Sequence, residues 1–158
     1  MEGFTIGMAL VDAIPVLSFG ISMVIIASRF KSRLFMLGAI LSVLGGCCKV
    51  MWKLVLGISG KNIKKLNKLF APCMASGFLL LVISIVSRWK HISWSGVLAA
   101  ATGFPSIVFF IVWIALMCTM SWYRKYKFQR NDAHSNWMAQ IINALGQTCL
   151  LLGILFAW

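Results

Sequence analysis

Long apolar blocks joined by short basic connections are the dominant pattern of this chain. Five blocks stand out, at residues 8–28, 34–56, 69–86, 104–123 and 137–158. A run of roughly 18 or more apolar residues with few charges is long enough to cross a bilayer as a helix. The pattern therefore predicts an all-α, polytopic transmembrane helix bundle with five spanning helices, a single integral membrane domain over residues 1–158.

The connections refine this plan. Residues 29–33 leave room only for a tight hairpin between the first two helices. In GISGKNIKKLNK, Lys61, Lys64, Lys65 and Lys68 fall at i, i+3, i+4 and i+7, so they share one helical face. That spacing predicts a short interfacial helix with its lysines on anionic headgroups, and a solvated basic turn is the alternative. Pro72 is expected in the first turn of the third helix, where a missing N–H costs little. Residues 92–123 are harder to divide. They would span roughly 48 Å as one helix, too long for an upright crossing and too short for two. Gly103-Phe104-Pro105 interrupts them. The expected form is one long, tilted, kinked fourth helix. The alternative is a half-helix, SWSGVLAAATG, placed before the fourth span. Asn131-Asp132 offers the cap of the fifth helix. Trp52, Trp89, Trp94, Trp122, Trp137 and Trp158 stand near block ends, as an interfacial aromatic belt requires.

Composition agrees with the pattern. The chain is 61% hydrophobic and 11% charged, against about 45–50% and about 25% in soluble domains. A net charge of +12 would point to nucleic acid in a soluble protein. Here the Lys and Arg residues gather at block ends, where lipid phosphates meet them. The expected partners are the bilayer and its anionic headgroups, with no nucleic acid. With five crossings, Lys61, Lys64, Lys65, Lys68, Arg124, Lys125, Lys127 and Arg130 share the N-terminal side, and Arg29, Lys31, Arg33, Arg88 and Lys90 lie opposite. That bias predicts a multi-pass protein of the cell membrane with a cytoplasmic N-terminus. The first block lacks the basic start and small-residue cleavage motif of a removable signal. Cys47, Cys48, Cys73, Cys118 and Cys149 form no C-x-x-C pair and no metal spacing, so buried, inert cysteines are expected and no metal or cofactor is implied.

Against this apolar background, two groups of polar residues could carry chemistry. Asp12, Lys49 and Lys53 are the charges inside the spanning blocks, and an intramembrane charge needs a partner or water. Counted outward from Lys31, Asp12 lies 19 residues before and Lys49 18 after. The two therefore stand at nearly equal depth, with Lys53 one turn closer to water. An Asp12–Lys49 pair would act as a hairpin clasp or as a proton, ion or substrate site. The second group lies in NWMAQIINALGQ, where Asn136, Gln140, Asn143 and Gln147 fall at about 0°, 40°, −20° and 20° around a helix. Such a stripe cannot face lipid tails with its amides unpaired. It is either a packing seam or the lining of a polar path.

Two function classes follow. One is a small, oligomeric channel or transporter for an ion or small polar solute, lined by the amide stripe. The other is a non-catalytic membrane subunit or scaffold, in which the stripe is a seam with another copy or a partner subunit. A lipid enzyme is the weakest reading. Only His91, His134 and Asp132 could serve it, with no nucleophile elbow or metal set to support them. No catalytic residue is assigned.

Overall fold

A computed structural model describes residues 6–127 and 132–158. Among these residues there are six α-helices and no strand: α1 (Ile6–Phe30), α2 (Arg33–Ser59), α3 (Lys64–Ser87), α4 (Trp94–Thr102), α5 (Ser106–Tyr126) and α6 (Ala133–Ala157). All but α4 are long and apolar enough to cross a membrane. The chain is a multi-pass membrane protein. Its near face is where α1 begins, α2 and α5 end, and α3 and α6 begin.

The turns explain the helix limits. Lys31 takes a left-handed φ of 46° between α1 and α2. Ser32 then caps α2, its Oγ accepting from the Phe35 N–H at 3.3 Å and pairing with Ser84 Oγ at 2.8 Å. Gly60, at φ 66°, closes α2 through its N–H on the Leu56 carbonyl. That left-handed position suits a residue without Cβ.

Three expectations need correction. Lys64, Lys65 and Lys68 do not form a separate interfacial helix. They are exposed in the opening turns of α3, with Lys61 exposed in the preceding turn. Pro72 consequently lies inside α3 rather than in its first turn, where it withholds an N–H from the Lys68 carbonyl. Residues 92–123 are not one kinked helix: α4 stands apart from α5. Proline disfavours helical backbone at the residue before it, and Gly103 is extended at φ −64°, ψ 143°. At nine residues α4 is about 13 Å long, a half-helix too short to span. Arg130 and Asn131 fall outside the described residues.

The spanning helices pack in the lateral order α3–α2–α1–α6–α5, each mainly on its neighbours in that row. Their buried faces carry small and polar residues, among them Ala9, Ser18, Ser22, Ser42, Ser84 and Ala139. Leu10, Leu17, Leu44, Leu79, Ile111 and Leu145 point outward. Lipid tails are as apolar as leucine, so close backbone packing between small residues supplies much of the cohesion. Toward the far face, Met23, Ala27, Phe35, Ala39 and Leu81 make an apolar core joined by Phe19, Ile26 and Ile85.

Asp132 caps α6, accepting the N–H of Ser135 at 2.7 Å and of His134 at 3.3 Å. These bonds, the Ser135 N–H first, hold its carboxyl below the ordinary carboxylate range. A depressed folded value means that the cap contributes fully above the unfolded value of about pH 4 and is lost as pH falls through the folded one. Hydrogen exchange at the Ser135 amide is therefore expected to accelerate, relative to the intrinsic rate, only below that range. An Asp132→Asn variant keeps a capping acceptor and should show no such step. A step surviving in it would assign the titration to another group.

Candidate functional site

The charges of α1 and α2 meet near the near face. Lys53 Nζ lies 2.7 Å from Asp12 Oδ2, and both residues are buried, at 5% and 6% exposure. The contact is close but off-axis, and Asp12 Oδ2 has no aligned hydrogen bond. We read it as an ion pair, because Coulomb attraction does not depend on the angle. Gln140 completes the cluster. With the amide assigned so that both ends are satisfied, its oxygen accepts from Lys53 Nζ at 2.8 Å and its nitrogen donates to the Met8 carbonyl at 2.8 Å.

The expected Asp12–Lys49 pairing gives way to Asp12–Lys53 because depth counted at Cα neglects side-chain direction. Cα–Cβ bonds tilt toward a helix's own N-terminus. In an antiparallel hairpin, Asp12 therefore leans toward the near face and Lys53 toward the far face. They converge across one turn of offset, while Lys49 extends over the Phe70 ring of α3, 4.8 Å from its centroid.

The amide stripe divides into three environments. Asn136 donates from Nδ2 to the Asp132 carbonyl at 2.9 Å and belongs to the helix start. Gln140 is consumed by the buried cluster. Asn143 and Gln147 line a cavity of about 240 Å³. Asp12, Ser42, Lys49 and Arg124 also line it, so all five spanning helices, Phe70 on α3 included, contribute to its wall. A row of helices whose two ends border one cavity must curve around it. Toward the far face the lining stops at Phe19, Ser42 and Phe78, with the Phe19 and Phe78 rings 5.9 Å apart. The apolar core begins immediately beyond.

Charge in the chamber is unbalanced. Asp12 is matched with Lys53, Asp132 caps α6, and Glu2, the remaining acidic residue of the chain, lies outside the described residues. Among the described residues, neither Lys49 nor Arg124 has an ion-pair partner. Gln147 Oε1 is buried without a hydrogen bond.

A larger recess of about 410 Å³ opens on the far face between Arg29, Arg88, His91 and Trp158. Its arginines are already engaged, Arg29 with the Trp158 carbonyl and Arg88 with the Phe30 carbonyl, each at 3.2 Å. It holds none of the intramembrane charges, so size alone does not make it the site. His91 borders that recess and His134 starts α6, so the histidines and Asp132 do not assemble. Free Cys47 and Cys118 are exposed on the outside of the bundle, and no cysteine is buried, contrary to expectation. Trp52 is not a belt residue either: it is buried and donates from Nε1 to Asn62 Oδ1 at 3.0 Å.

Sequence reasoning missed Arg124 as a site residue, because it counts as an interfacial charge until α5 is known to border the chamber. Phe70, Met74 and Phe78 recur every four residues on α3 and show one helical face, but not what that face meets. The class of protein these observations define is a multi-pass helical membrane bundle holding a polar, charged intramembrane chamber. Family models, curated proteins and solved structures give no match to the chain.

Proposed function

We propose that the chain is a small membrane transport protein of the carrier type, which receives a solute from the near face into the chamber between its five spanning helices. One observation carries this reading: Lys49, Asn143, Gln147 and Arg124 share a cavity that stops at an apolar core toward the far face. An open channel would need that core breached, whereas a carrier needs it as a closed gate. The amides offer donors and acceptors without charge selection, and the cations supply attraction. No catalytic step is assigned to the chamber.

The scaffold reading draws on Gln140, whose amide is spent on packing, but Asn143 and Gln147 face space. The chamber is lined by one chain, so a second copy or partner subunit would pack on the outward faces. The basic bias supports reading the near face, with Lys61, Lys64, Lys65 and Lys68 toward its headgroups, as the cytoplasmic side of a cell-membrane protein.

The test is water access at Asn143. In a cysteine-free background, an Asn143→Cys protein in native membranes is expected to react rapidly with a small charged thiol reagent applied to the near face. An unreactive cysteine, in folded protein whose near-face control cysteine reacts, would make the stripe a packing seam and end the carrier reading.

A further inference from the structure

The walls of the chamber differ in chemistry along its depth, and this difference specifies a ligand. At the near end stand two cations without ion-pair partners among the described residues, Lys49 and Arg124, beside the Asp12 carboxylate, whose charge Lys53 offsets. Asn143 and Gln147 lie on one side, the latter with a buried amide oxygen lacking a partner. Deeper in, the wall becomes mainly apolar, with Phe19, Met74 and Phe78 beside Ser42. The side walls are α3 and α5, the two ends of the helix row, which do not pack extensively on each other. The ring of helices is therefore not closed at that point, and α3 presents Phe70, Met74 and Phe78 to the chamber.

We infer that the chamber binds an anionic amphiphile drawn from the near leaflet, with its carboxylate or phosphate monoester between Lys49 and Arg124 and its hydrocarbon chain along Phe19, Met74 and Phe78. A fully hydrated inorganic anion would leave the apolar half of the chamber unused. A zwitterionic headgroup would bring a second cation toward two others. An anionic headgroup on an alkyl chain satisfies both ends at once, and the α3–α5 gap lets it arrive sideways without passing through water. Lys49 is half-buried and Arg124 exposed, and an anion that displaces water from between them strengthens its own attraction to both. This inference rests on the proposed carrier reading and names its substrate class.

The experiment uses the full chain in nanodiscs of phosphatidylcholine and radiolabelled dodecyl phosphate as the probe. Saturable binding of one probe per chain is expected, displaced by dodecanoate but not by inorganic phosphate or dodecylphosphocholine. Lys49→Gln and Arg124→Gln should each weaken binding about tenfold or more, equivalent to about 1.4 kcal/mol. Lys49→Arg should largely restore it, and Lys90→Gln, exposed on the far face, should leave it unchanged. The probe should also slow modification of the Asn143→Cys protein.

Several results would overturn the inference. They are absence of saturable binding, equal displacement by dodecylphosphocholine or by inorganic phosphate, or a Lys49→Gln protein of native size and helicity that binds as wild type. Asn143→Cys separates the two levels of the argument. Rapid labelling with no probe binding removes the ligand class alone, and an unreactive cysteine removes the chamber reading with it.

Discussion

Lys53→Met is expected to destabilise the bundle by about 3–5 kcal/mol, the range found when one partner of a buried ion pair is removed. The loss follows from what stays behind. Asp12, 6% exposed, would be left among helices with no cation within ion-pair distance, and the Gln140 oxygen would lose its donor. Asp12→Leu should be comparably damaging, because it strands the Lys53 ammonium instead. The double substitution Asp12→Leu/Lys53→Met should recover most of either loss, since a buried pair replaced by apolar residues of similar volume is often close to neutral. The residual cost should be about 1–3 kcal/mol for the unsatisfied Gln140 oxygen. A double-mutant cycle on unfolding in detergent measures this directly. Additive single losses would mean that Asp12 and Lys53 do not interact in the folded protein, and the cluster as described would be wrong.

That cluster shows how far the sequence could be read. The five spans were legible because the bilayer sets their length and composition, whatever the tertiary packing. The polar group on the first two helices was legible as well, because a hairpin with a two-residue link fixes relative depth. Which lysine pairs with Asp12 was not legible from depth alone. The choice turns on side-chain tilt, and on Phe70 standing where Lys49 can reach it. The amide stripe was visible as an arc on α6, but its fate depended on neighbours that only the lateral helix order supplies. Gln140 meets α1 and α2, whereas Asn143 and Gln147 look into the space where the row curves. The break between α4 and α5 was signalled by Gly103 and Pro105, and the preference for one kinked helix underestimated how far an extended Gly103 separates the two. No pattern within any one helix encodes the contribution of Arg124, because α5 reaches the chamber only through the curvature of the whole row.

The curvature itself rests on close contacts between small residues, and Gly77→Ala is the substitution expected to disturb it most per atom added. A Cβ on Gly77 would stand 2.8 Å from both the Gly38 carbonyl oxygen and the Ser42 backbone nitrogen, and closer still to Ser42 Oγ. Two of those three atoms belong to the α2 backbone, which cannot turn aside as a side chain can. The α2–α3 pair must therefore move apart, opening the crossing that holds Phe70, Met74 and Phe78 against the chamber. Overpacking of this kind costs about 1–3 kcal/mol and sometimes more, against a helix-propensity gain of about 1 kcal/mol for replacing glycine by alanine. Gly77→Val should exceed the alanine cost. Gly146→Ala supplies the contrast. There the added Cβ meets first the terminal methyl of Met117, the far end of a flexible side chain with room to rotate. That variant should unfold within about 1 kcal/mol of wild type, helped by the same propensity gain. Equal stabilities for the Gly77→Ala and Gly146→Ala proteins would show that α2 and α3 are not in backbone contact at this crossing. If instead Gly77→Ala is destabilised, dodecyl phosphate binding should weaken in the same variant, since the wall that would hold the alkyl chain is the helix that has been displaced.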